Sequence, residues 1–124
     1  MRPITLFFIL NATLLILHEI ESSYEKEWEI LRLPVKISGF LILHIPIILL
    51  LFYGVVEIKK LTPIGLILGI VIGIGGMIPF LVHKVIVNRK DKFNMKISNI
   101  IIYTNLISGI ITIVLSINSL VSIK

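Results

Sequence analysis

Three histidines and a cluster of acids stand out in an otherwise apolar chain. His18 sits in His18-Glu19-Ile20-Glu21 near the end of one long apolar run, His44 lies shortly after the start of the next, and His83 closes a third. Imidazole and carboxylate are the ligands a borderline divalent ion such as Zn²⁺ or Fe²⁺ takes, and an i,i+3 His-Glu pair can reach one ion from a single helix. The expected ligand set is His18, Glu21, Glu25, His44 and His83. Three histidines with one or two glutamates suffice for a mononuclear site and fall well short of the many-histidine boxes of membrane desaturases and hydroxylases. Without a metal, the same region offers general acid–base or proton-relay chemistry, with His18, Glu21, His44 and Asn105 as the catalytic candidates. The chain has no Cys, which excludes thiolate ligands, thiol nucleophiles and disulfides.

The elements that must position these groups are membrane spans. Hydrophobic residues make up 56% of the 124 residues and charged ones 15%, and the mean hydropathy is +1.05. That is more apolar surface than one small soluble core can bury. The fold class is therefore all-α, an integral membrane four-helix bundle forming a single domain over residues 1–124. The spans run from Pro3 to about Ser23, Ile37 to Val56, Pro63 to about Val87, and Ile97 to Ser122. Each matches the roughly 20 apolar residues that cross a bilayer. Arg2 before the first run resembles a secretory signal, but no small-x-small cleavage pattern follows, so the helix is expected to be retained. Thr62 is placed to cap the third span ahead of Pro63, and Pro46 and Pro79 predict kinks.

Antiparallel threading brings the three histidines to one face of the membrane. Ile4 to Ile20 spans only about 25 Å at about 1.5 Å per residue, short of the ~30 Å hydrocarbon layer. The first helix must run on, which draws His18, Glu19 and Glu21 to the apolar boundary, where ionisable groups are costly and mark function. Helical spacing puts Asn11, His18, Glu21 and Glu25 on one stripe, with Ile20 and Tyr24 on an apolar one. Gly65, Gly69, Gly73 and Gly76 form a small-residue ridge that lets helices approach, and His83 shares its azimuth unless Pro79 rotates it. Ser98, Asn105, Thr112 and Ser119 recur at heptad spacing, flanked by Ser108 and Ser116, with Asn105 expected at the depth of His44.

Orientation follows the basic residues. Eight flank the first and third connections (Lys26, Arg32, Lys36, Lys84, Arg89, Lys90, Lys92, Lys96), and four flank the other side (Arg2, Lys59, Lys60, Lys124). The positive-inside rule puts both connections in the cytoplasm of a multi-pass cell-membrane protein, with both termini outside. The net charge of +5 reads as this signal plus attraction to membrane lipids, and not as a nucleic-acid surface.

Three function classes follow. The favoured one is metal binding or proton-linked chemistry on a small or lipid-like substrate. The second is a small proton-coupled transporter working as a homodimer, which favours a Glu deeper in the first helix and a weaker charge bias. The third is a non-enzymatic interaction or immunity protein. The plainest alternative for the acids is a solvated helix end, with Tyr24 and Trp28 as interfacial anchors and Glu25, Glu27 and Glu29 interleaved with Lys26 and Arg32.

Leu17-His18-Glu19-Ile20-Glu21, then Lys26-Glu27-Trp28, Phe40 with His44-Ile45-Pro46, and His83 together resemble a domain-of-unknown-function family of small four-helix bacterial membrane proteins. In that family the first helix ends in His-Glu-hydrophobic-Asp and Lys-Glu-Trp, and the second carries His-hydrophobic-Pro. The resemblance covers most of the chain and carries over His18, Glu19, Glu21, Glu27, Trp28, His44 and His83. It implies architecture and site location without an activity. The chain departs at Glu21, where the family has Asp, and at Val87, where it has a second His. A fainter similarity is to the HXXEE-motif membrane proteins, with Ser22 where their second Glu stands. The resemblance also implies that a short interfacial helix before Pro34 lets Glu27 cap the cluster.

Overall fold

The computed structural model describes residues 1–86 and 95–123. Val87 and the basic stretch Asn88 to Lys92 lie outside the described residues. Four helices are long and apolar enough to cross a membrane. α1 is Pro3–Tyr24, α3 is Ile37–Lys59, α4 is Pro63–Phe80 continuing as a π-helical turn over Leu81–Ile86, and α5 is Lys96–Ile123. The short α2, Glu27–Ile30, lies between α1 and α3. α3 runs three residues past the Val56 expected from the sequence, because Glu57 and Lys59 remain in its last turn. Pro3 and Pro63 occupy first-turn positions, where a missing N–H costs nothing. Thr62 caps α4, its hydroxyl accepting from the Gly65 amide at 3.0 Å while donating to the Glu57 carboxylate at 2.7 Å.

α4 is the central helix, and its glycines explain why. A Cβ on Gly73 would sit 2.7 Å from the Gly109 carbonyl, and one on Gly109 would sit 2.5 Å from the Gly73 carbonyl, so the α4 and α5 backbones touch there. A Cβ on Gly65 would fall 2.6 Å from the Ile58 amide nitrogen of α3. Lipid tails provide no hydrophobic drive between helices, so close van der Waals approach and interhelical hydrogen bonds hold such a bundle. The bonds lie along the polar seam of α5, where Ser98, Asn105, Ser108, Thr112 and Ser116 are all buried. Ser108 donates to Asn11 Oδ1 at 3.0 Å, and Asn11 Nδ2 donates to the Ile72 carbonyl at 2.8 Å.

An apolar cluster of Ile4, Phe8, Ala12, Leu51, Ile58, Leu66 and Ile72 fills the bundle from its middle toward the end opposite the histidines. α3 joins it through one face and is otherwise peripheral: 11% of its span is buried, against 33–39% for the other three. Clefts are thereby left on both sides of α3.

Gly73→Ala should lower stability in detergent by about 1–3 kcal/mol through backbone overpacking. Gly75→Ala should be near neutral, because its Cβ would meet only Leu15 Cδ2 at 3.5 Å. Equal midpoints for the two variants in thermal unfolding would remove the backbone-contact account.

Candidate functional site

The site begins with a chain reversal. α1 ends at Tyr24, and Lys26 takes a left-handed conformation at φ 53°. This costs a residue with a Cβ about 1–2 kcal/mol, and it turns α2 back over the end of α1. Trp28 anchors the turn: it is buried and packs on Phe40 of α3, with ring centroids 5.5 Å apart. Phe40 in turn stacks on His44 at 4.0 Å. Glu27 is thus held above His18 by one aromatic column.

His83 arrives from the other side on the π-helical turn that follows Pro79. Such turns shift side-chain azimuth relative to an α-helix and recur at functional sites. His83 is buried, and its Nε2 lies 2.9 Å from Glu27 Oε1. The His18 ring, 2% exposed, tilts against the His83 ring at a centroid distance of 5.1 Å. Ser22, one turn after His18, lies 3.4 Å from His18 Nε2 and also hydrogen-bonds Glu27. One ligand atom each from His18, Glu27 and His83 falls within 4.8 Å of the others, and among the described residues this is the group of His, Asp and Glu side chains close enough to hold one ion.

Beside it lies a second pair. His44 Nδ1 is 2.7 Å from the Phe40 carbonyl, which can only accept, so Nδ1 carries a proton. His44 Nε2 then faces Glu19 Oε2 at 2.5 Å, a hydrogen bond that requires a proton on one of the two atoms. The pair spans α1 to α3, as the His83–Glu27 pair spans α4 to α2.

The sequence-derived candidates separate into three places. His18 and His83 meet, with Glu27 as their carboxylate. His44 stands next to them and is bonded to Glu19. Glu21, favoured by its i,i+3 spacing, accepts instead from Ser98 of α5, and Glu25 lies beyond it at the helix end, outside the His18–Glu27–His83 group. Asn105 is not level with His44 but beside Asn11: a Cβ on Gly76 would meet the amide oxygens of both. Asn11 is eight residues before Glu19, about 12 Å along the helix. The reason is geometric. Successive helical residues are about 100° apart, so His18, Glu19 and Glu21 address α4, α3 and α5 respectively. Residue spacing on α1 alone made His18 and Glu21 partners. The signal for Glu19 and Glu27 lay in the motif resemblance, which included both.

A family model described as a family of unknown function, DUF6713, matches residues 4–119. The chain belongs to this family. No curated protein and no solved structure matches it. Membership in DUF6713 agrees with the resemblance read from the histidine, glutamate and tryptophan positions, and the family's description assigns no chemistry to them.

Glu27 lies on α2, outside the spans. Burial pushes its carboxyl up, but hydrogen bonds from His83 and Ser22 and the charges of His18 and His83 outweigh this, and the net movement is below the ordinary value of 4.5. A depressed carboxyl contributes stability that is present above its unfolded pKa and lost as the pH falls through the folded one. Acid unfolding of the metal-free protein should therefore steepen below about pH 4.5, and Glu27→Gln should flatten that limb. An acid profile unchanged by Glu27→Gln would show that the carboxylate is not held as its contacts imply.

Proposed function

We propose that this membrane protein holds one divalent metal ion at His18, Glu27 and His83, with the Glu19–His44 pair as the proton-carrying group beside it. The observation that carries the reading is the convergence of two buried imidazoles and one carboxylate from α1, α2 and the end of α4. The donor chemistry fits. Two histidines and a carboxylate are a common set for Zn²⁺ that retains an open position, and for Fe²⁺ in facial sites. Ser22 supports Glu27 from behind, the kind of second partner that orients a ligand. When bound, such an ion supplies Lewis acidity. The protein's own contribution is to hold three ligands in place, exclude water with Trp28 and Phe40, and keep a proton between His44 Nε2 and Glu19 Oε2. By the count of basic residues, this end faces the cytoplasm.

Alternatives without metal are less well supported. A transporter that uses Glu21 as its membrane carboxylate has that group tied to Ser98.

Protein purified without chelator should bind about one equivalent of Zn²⁺ or Fe²⁺. His18→Ala, Glu27→Ala and His83→Ala should each lose it, whereas His44→Ala, removing a neighbour and not a ligand, should weaken affinity by no more than about 10–100-fold. Binding should also weaken as the pH drops, because imidazole must be neutral to ligate. Metal analysis and chelator titration provide the readout. Negligible and equal metal in wild type and all four variants would overturn the assignment.

A further inference from the structure

Three cavities of about 260, 410 and 540 Å³ meet at Glu19 and Ile47, the two residues that line all of them. The 410 Å³ cavity lies between α3 and α4, with α1 as its floor, and is of the size that takes small molecules, about 300–1,000 Å³. Its chemistry is divided along its length. At one end stand His18, Glu19 and Glu27, and the remainder is walled by apolar side chains such as Leu50, Val71 and Ile74. From Pro79 to Val71 the α4 wall runs about 12 Å into the hydrocarbon layer at about 1.5 Å per residue. Its other wall, α3, is the least buried span, and the lining residues Leu50, Val71, Ile74 and Ile78 are all exposed, so the cleft opens sideways to whatever surrounds the bundle. In a bilayer that surrounding is acyl chains.

We infer that the cleft between α3 and α4 receives one acyl chain of a bilayer lipid and brings that lipid's ester carbonyl to the His18–Glu27–His83 site. The inference rests on the metal reading for the head of the lipid and on the cleft alone for its chain. Charge argues for a neutral oxygen and not an anionic phosphate. Glu19 and Glu27 both line this end of the cleft, so an anionic phosphate entering it would stand against two acidic side chains. An ester carbonyl offers a lone pair to an open coordination position without adding charge. The apolar wall takes the chain.

Gly75 provides the test. It lines the cleft, and a side chain there meets only the end of Leu15 before entering the open space. Full-length protein is loaded with Co²⁺, delipidated in detergent and given dioleoylphosphatidylcholine. Wild type should retain one phospholipid per chain by native mass spectrometry, and its cobalt absorption should change as the lipid binds. Gly75→Leu should keep its Co²⁺ while retention falls at least about tenfold, equivalent to losing two buried methylene groups. Ile47→Phe, which fills the cleft from α3, should act likewise and stands in should Gly75→Leu lose cobalt as well. Equal retention in wild type and both variants would overturn the inference, leaving only non-specific surrounding lipid. A cobalt spectrum indifferent to the lipid would overturn the placement of its head. A dimer that these variants dissociate without releasing lipid would assign the cleft to a second copy. A protein that binds no metal yet loses lipid in Gly75→Leu would sink the metal site while leaving the acyl chain in its cleft.

Discussion

Carboxylate and imidazole groups buried away from water must find partners, and that requirement organises one whole end of this bundle. Glu19 meets His44, Glu27 meets His83, and Glu21 meets Ser98. Each contact joins two different elements, so the same interactions that make the groups tolerable in an apolar medium also fix how α1, α2, α3, α4 and α5 sit relative to one another. Breaking one partner leaves the other uncompensated, which in a low dielectric is the costly outcome.

The opposite half of the molecule obeys a different constraint. There, backbones approach through Gly65, Gly69, Gly73 and Gly109, and packing is dense around Phe8, Leu66 and Ile58. This closely packed half anchors the helices, and the polar half can then hold side chains at defined separations. α3 is the exception. It is fastened by the His44–Glu19 contact at one end and by Leu51, Gly54 and Ile58 toward the other, and it remains open between.

Much of this was legible from the residues, for physical reasons that differ by feature. Span lengths and the all-α class follow from apolar runs that must cross about 30 Å. The Gly65–Gly76 ridge and the Ser98–Ser116 seam were readable because small and polar residues at helical spacing have one way to face inward. The pairing of individual acids was not readable in the same way. A three-residue step along α1 makes Glu21 the natural mate of His18, but His18 is partnered from above by Glu27, through a left-handed Lys26 that no local propensity favours. Nor could periodicity show that the histidine of α4 would lie on a π-turn after Pro79. Asn105 lies deeper than its expected level with His44 because Ser98, seven residues before it on α5, already meets Glu21.

The contact between His83 and Glu27 joins residues 56 apart in the chain. A chain that enters the membrane in order of synthesis exposes Glu27 to solvent or lipid long before its mate emerges. The first two spans therefore insert with an unfinished end, and only the arrival of the third closes it. A chain halted before that point would show an acidic edge that the finished molecule conceals.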